Sequence, residues 1–278
     1  MSRNRSVLAV DASLRTAVKV AAGAADALRR PATGAVVLLY HRVGGGTSSS
    51  VDLPAALFEE QMAALASSHT VVSMDHVLRC LEEAVPIGPC VAVTFDDGTA
   101  DLIDSALPIL ERHAIPSTWY IATSFVDAEK AFDGAGSPLT WQALREACST
   151  GLVSIGSHTH SHLLLDRAPV VEVVDELDRS IESIGANIGS APLDFAYPKA
   201  VLGSEAAQEA VRARFRSAAL AGTRANVGGH TDPYRLARSP IQVSDGLRWF
   251  TRKARGGMGL EDALRERLNR RRYARAIS

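Results

Sequence analysis

Val91-Ala92-Val93-Thr94-Phe95-Asp96-Asp97-Gly98 joins a continuous apolar run to two acids and a glycine. A run of this kind, with no alternation of polar and apolar residues, predicts a strand of a parallel sheet covered on both faces. Two adjacent carboxylates repel each other unless a cation or a proton compensates them, and Gly98 lets the chain turn sharply behind them. In parallel α/β folds, sites are built at the carboxyl ends of strands. The segment therefore predicts both a type of sheet and a place in it for chemistry.

Ala35–Tyr40 has the same character, and further strands are expected at Ser117–Ala122, Leu152–Ile155, Leu193–Ala196, Ser217–Ala221 and Arg235–Val243. Helical spacing lies between them at Pro54–Ser67, Asp101–His113, Trp141–Thr150, Pro169–Asn187 and Ser204–Phe215. Strand alternating with helix predicts an α/β fold, a parallel sheet or barrel with helices outside. Residues 6–30 read as an amphipathic helix ended by Pro31 and Gly34, and 260–276 as a basic helix densest at Arg270-Arg271-Arg272. The chain divides accordingly into an N-terminal helical extension (1–33), a main α/β domain (34–245) and a basic helical tail (246–278).

At 278 residues and 46% hydrophobic content, the chain is long enough for one large α/β domain. Lys and Arg number 30 against 31 Asp and Glu, so the net charge of -1 gives no argument for a nucleic-acid partner. Both ends are basic around an acidic middle, which suits a solvated face or peripheral contact with a membrane. Cys80, Cys90 and Cys148 lack C-x-x-C spacing and are odd in number, so they are expected reduced rather than bridged. Asp11, Arg15, Lys19 and Asp26 interrupt the N-terminal apolar stretch, and a cytoplasmic protein without a membrane span is expected.

Ser157-His158-Thr159-His160-Ser161-His162 follows a predicted strand, and histidine this dense is poorly explained by packing. A divalent metal of the zinc type takes neutral imidazole and carboxylate ligands, about three of them in a catalytic site. His158 and His162 are four apart, so one turn points both rings the same way, although a 158/160 pair fits the spacing too. The third ligand is expected to be a carboxylate of the Asp96-Asp97 pair. Each segment has an ordinary alternative: Asp97-Gly98 is common turn chemistry, and Asp96 or Asp101 suits a helix cap. Together each supplies what the other lacks.

These two motifs resemble the first two of the polysaccharide deacetylase family, also called NodB-homology domains or carbohydrate esterase family 4. The likeness runs from Leu39-Tyr40-His41-Arg42-Val43 to about Val243, through Phe58-Glu59-Glu60-Gln61-Met62 and Phe195-Ala196-Tyr197-Pro198. Its opening is most like the branch of poly-N-acetylglucosamine deacetylases. The resemblance implies a distorted (β/α) barrel with fewer than eight complete units, extended here by helices at both ends. It implies a metal held by Asp97, His158 and His162, with zinc foremost and cobalt, nickel or manganese also accepted by such donors. Asp96 is then the general base, and His160 an extra histidine.

The same resemblance makes His41 the general acid, since no late L-x-H motif is present; a histidine bonded to backbone and His230 are the rival readings. In the third motif Ala196 stands where the family has arginine, and Lys199-Ala200 where it has an aromatic-glycine pair. Tyr197, Lys199 and Arg238 are the substrate-binding candidates. Arg238 is equally readable as orienting Asp96 or as a surface salt bridge, and Trp119, Trp141 and Trp249 are further aromatic candidates, Trp119 being expected in the core. The implied reaction removes the N-acetyl group from an N-acetylhexosamine of a polysaccharide, glycolipid or sugar precursor. A deformylase or cyclic-amide hydrolase, and a sugar-binding protein that has lost catalysis, are the competing functions.

Overall fold

The computed structural model describes residues 17–26, 34–83, 88–131 and 136–274, and for residues 266 and 268–274 the backbone only. Ten strands occur among them: β1 Ala35–Tyr40, β2 Arg42–Val43, β3 Asp52–Leu53, β4 Thr70–Val71, β5 Cys90–Asp97, β6 Ser117–Ile121, β7 Val153–Ser157, β8 Asp194–Ala196, β9 Ser217–Ala219 and β10 Arg238–Pro240. The main sheet runs β10-β1-β5-β6-β7-β8-β9, every neighbouring pair parallel, with β4 also pairing with β5. Its two ends nearly meet. A bridge joins Ala219 to Leu236, and Leu220 N–H donates to Leu236 O at 2.8 Å. The result is a nearly closed seven-stranded barrel with helices outside, as the resemblance implied.

Side chains alternate across each strand, and this parity decides what the barrel contains. Val36, Leu38 and Tyr40 on β1, Val91, Val93 and Phe95 on β5, and Trp119 and Ile121 on β6 form an outer layer with the helices. The opposite parity contributes Ala35, Val37, Ala92, Tyr120, Ala196 and Ala219 to a smaller cluster, joined by the helix Met74–Glu82. Followed to the strand ends, the inner parity arrives at His41, Asp96 and His158. Continuous apolar strands with a few polar residues at one end thus give a dry wall and a chemical mouth.

Gly156 is the inner-facing residue of β7 opposite Tyr120. A Cβ there would meet Tyr120 Cδ1 at 2.5 Å and the Asp194 carbonyl at 2.9 Å. Gly156→Ala is accordingly expected to destabilise the fold by about 3 kcal/mol, the upper range for overpacking a rigid site. Urea unfolding measures it, and a loss below about 0.5 kcal/mol, within the range of neutral substitutions, would contradict the close approach.

The expected helices 54–67, 141–150, 169–187 and 204–215 appear as Ala55–Ser68, Trp141–Ser149, Val170–Ile188 and Glu205–Arg212. The stretch 101–113 divides into a π-type turn, Leu102–Ala106, and a helix, Leu107–Arg112. Neither acid suggested as a cap serves as one: Asp101 accepts from Val43 N at 2.8 Å and Arg42 Nε at 3.1 Å, and Asp96 faces inward. Of the helix read over 6–30, only 17–26 lies within the described residues, and it is helical. Lys19 on it pairs with Asp245 and Glu261, tying it to the last helices, Gly246–Ala254 and Gly259–Ala274. The side chains of Arg270, Arg271 and Arg272 lie outside the description. The three cysteines are free. Among the described residues no helix is long and apolar enough to cross a membrane.

Candidate metal centre

Asp97 ends β5 with φ 75°, a left-handed conformation that a non-glycine residue adopts at a cost of about 1–3 kcal/mol. The bend is fixed on both sides, by Gly98 N donating to Asp96 O at 3.1 Å and Ala122 N to Asp97 O at 3.2 Å. Thr159 (φ 65°), His162 (φ 64°), Lys199 (φ 54°) and Ala200 (φ 55°) share that conformation. Strained backbone of this kind collects where side chains must be aimed rather than packed.

The aim is convergent. Asp97 Oδ1 lies 3.6 Å from His158 Nε2 and 3.5 Å from His162 Nε2. The ligand atoms of these three residues lie within 4.8 Å of one another. Donors bound about 2.1 Å from one tetrahedral ion are themselves roughly 3.4 Å apart, so the spacing suits a shared cation. His158 Nδ1 donates to the Ala196 carbonyl at 2.8 Å, which fixes the tautomer and leaves the Nε2 lone pair facing Asp97. His160 turns the other way, its Nδ1 2.8 Å from Thr123 Oγ1, and takes no part in the cluster.

Charge states agree with this. Burial lowers the pKa of His158 against the pull of Asp96 and Asp97, and burial together with the neighbouring His158 lowers that of His162. Burial would raise Asp97, but His41, His158 and His162 hold it below the usual carboxylate range. Two neutral imidazoles and a carboxylate at neutral pH are the states a dication binds. The donor set therefore fits a zinc-like ion.

Asp96 stands beside this cluster, Oδ2 3.8 Å from His158 Nε2. Arg238 from β10 grips it with both fork nitrogens, Nη1 to Oδ1 at 2.6 Å and Nη2 to Oδ2 at 2.8 Å. Burial pushes the Asp96 carboxyl up, the guanidinium outweighs it, and the balance settles at about 2. Arg238 is 0% exposed, donates from Nε to Leu220 O at 3.2 Å, and lies 5.0 Å over the Tyr120 ring. It is neither a surface bridge nor within reach of substrate. Of its three readings, orienting Asp96 is the one the geometry permits, because inner parity on β10 turns it into the barrel.

Tyr197 must be corrected as well. It is 1% exposed, packs edge-on against Phe195 with centroids 5.1 Å apart, and burial raises its phenol to about 12. A sugar cannot stack on it. Trp119 is core, Trp249 packs with Ala22 and Met258, and Trp141 donates to Asp127 Oδ1 at 2.8 Å. Lys199 is exposed, close enough to His162 to lower its pKa, and so lies at the rim. His41 is half-buried near Asp97, with a buried Nδ1 that has no partner, whereas His230 is exposed on the 227–231 turn.

Comparison with known proteins agrees with the fold. IcaB from Ammonifex degensii superposes with TM-score 0.71 at 22% identity, covering 79% of this chain and 98% of that one. The Streptococcus pyogenes deacetylase PplD, solved in complex with acetate, gives 0.69 at 20% over 81% and 99%. At these identities the likeness is one of fold. YxkH of Bacillus subtilis, a polysaccharide deacetylase by name, is 30% identical over 132 residues, 47% of this chain and 44% of its own length. The Staphylococcus aureus poly-beta-1,6-N-acetyl-D-glucosamine N-deacetylase is 28% identical over 123 residues, 41% of this chain and 42% of its own. The chain thus spans less than half the length of these curated relatives. Residues 84–218, just under half of the chain, match the family model described as polysaccharide deacetylase, and that stretch carries the strand ends that bear Asp96, Asp97, His158 and His162.

Proposed function

We propose that the chain hydrolyses the acetamide of an N-acetylhexosamine unit, in a polysaccharide, a glycolipid or a sugar precursor, giving acetate and a free amine. The activity is assigned to residues 34–245. The observation that carries the reading is the convergence of Asp97, His158 and His162 beside an ionised, Arg238-held Asp96. The substrate class draws on the name of the Staphylococcus aureus relative.

Asp97, His158 and His162 would hold a divalent ion, zinc foremost, and when bound it would supply a Lewis acid for the water and the acetamide carbonyl. Asp96 accepts the proton of the attacking water, its carboxylate kept ionised and aimed by Arg238. As the C–N bond breaks, His41, half-buried beside Asp97, hands a proton to the departing amine nitrogen. Lys199 stands at the rim, where it meets the sugar rather than the acetyl group.

The reading of a sugar-binding protein that has lost catalysis rests on Lys199-Ala200 and on the absence of a late L-x-H histidine. A guanidinium on Asp96 supports the enzyme instead, since Arg238 on β10 supplies what Ala196 does not.

His41→Gln is expected to lower kcat by about 10²–10⁴-fold, the range for losing one general acid, while zinc affinity measured by competition with a chelator stays unchanged. Undiminished kcat would remove His41 from the mechanism. The function itself is tested by incubating zinc-loaded protein with N-acetylhexosamine oligomers, formamido sugars and cyclic amides, and assaying acetate, formate and ring-opened products. Acetate alone is expected; formate or ring-opened products in its place would overturn the substrate class.

A further inference from the structure

The helix Val170–Ile188 buries Val173, Glu176, Leu177, Ser180 and Ile184. This is the spacing of an ordinary apolar stripe, and Glu176 is the position in it that burial should penalise. Its carboxylate is satisfied by the turn that carries the histidines. Oε2 accepts from His160 N at 3.0 Å and Ser161 N at 2.7 Å, and Oε1 accepts from the Ser161 hydroxyl at 2.7 Å. One helical turn later, Ser180 Oγ lies 2.6 Å from Ser157 Oγ, at the end of β7.

The 158–162 turn contains two left-handed residues, and one of them, Thr159, is β-branched, which makes that conformation costly. Those two bends send His158 and His162 toward Asp97 while His160 goes to Thr123. Further bonds help to close the turn, Leu163 N to Thr159 Oγ1 at 3.1 Å and Ser124 N to His160 O at 2.8 Å. His158 has a second hold in its bond to Ala196, whereas His162 reaches its place through the turn.

We propose that Glu176 is a positioning residue of the metal centre: by gathering the N–H groups at the crown of the 158–162 turn, it sets the geometry with which His158 and His162 face Asp97. The proposal rests on reading those three residues as metal ligands. It assigns Glu176 a task done by hydrogen-bond acceptance rather than by charge. A glutamine can do that task, its amide oxygen accepting both N–H groups while its NH₂ donates to the Ser161 hydroxyl. A leucine of similar bulk cannot.

The test is zinc affinity of the metal-stripped protein, measured by competition with a chromophoric chelator, with circular dichroism to establish folding. Glu176→Leu is expected to weaken zinc binding about 10–100-fold, as outer partners of metal ligands do, and Glu176→Gln to restore it to within about threefold. Wild-type affinity in Glu176→Leu, or a loss in Glu176→Gln as large as in Glu176→Leu, would overturn the proposal. Should Glu176→Leu not fold, Glu176→Asp decides, because it keeps the charge but withdraws the acceptor by one methylene: weaker binding supports the proposal and unchanged binding overturns it. Wild-type protein that binds no zinc would instead overturn the metal reading itself, and this inference with it.

Discussion

Arg238→Met is expected to lower stability by about 3–5 kcal/mol, the usual loss when one partner of a buried pair is removed, and to abolish activity. The reason is the isolation of the pair. Arg238 is 0% and Asp96 3% exposed, and the guanidinium supplies both of the carboxylate's strong bonds. Asp96→Leu in the same protein should recover much of the stability, because replacing a whole buried pair by apolar groups is far cheaper than breaking it. It should recover none of the activity. Urea unfolding and acetate release, measured on the single and double variants, separate the two effects. A double variant no more stable than Arg238→Met would contradict the coupling.

The same pair sets an acid limit in the metal-free protein. The Asp96 carboxyl is held at about 2, below its ordinary 3.8. Its contribution is therefore complete above that ordinary value and is lost as pH falls toward 2. The pair should account for roughly 2 kcal/mol of the stability lost over that interval, and the dependence should vanish from the double variant.

Stripping the metal is the second large effect. Chelation is expected to abolish acetate release, and one equivalent of zinc, cobalt, nickel or manganese to restore it to differing degrees. Binding to the folded state alone stabilises it by about 2.7 kcal/mol when free zinc stands at a hundred times its Kd. Thermal unfolding should accordingly shift upward with zinc in the wild type and not in Asp97→Ala. An activity indifferent to chelation would remove Asp97, His158 and His162 from the chemistry.

Strand and helix were legible because continuous apolar runs such as Ala35–Tyr40 and Val91–Phe95 leave little choice in an alternating pattern. The short pairing β2–β3, the strand β4, and the helices Met74–Glu82, Thr123–Asp127 and Gly246–Ala254 were not foreseen; β2, β3 and β4, at two residues each, show no periodicity, and Gly246–Ala254 was taken into the tail. At the site, chemistry concentrated in two motifs was readable, and the residues that serve it from a distance were not. Arg238 lies on a strand far along the chain, and only the pairing of β10 with β1, itself paired with β5, shows that its inner face meets Asp96. Tyr197 is a substrate-binding candidate by its place in the third motif, but the edge-on packing with Phe195 buries it. Glu176 left a signal that was overlooked, a carboxylate inside the stripe Val173, Leu177, Ser180 and Ile184. The carbonyl of Ala196, which fixes the His158 tautomer, left none, since any residue there offers the same atom.

The central claim is that Asp97, His158 and His162 hold a metal that works with Asp96 on an acetamide. Mass spectra of N-acetylglucosamine oligomers, taken after incubation with zinc-loaded wild type and with Asp96→Asn, test it most directly. Loss of one acetyl unit with the wild type, and none with an Asp96→Asn protein that still binds zinc, is the predicted result. Unchanged oligomers with both, or equal deacetylation by both, would contradict it.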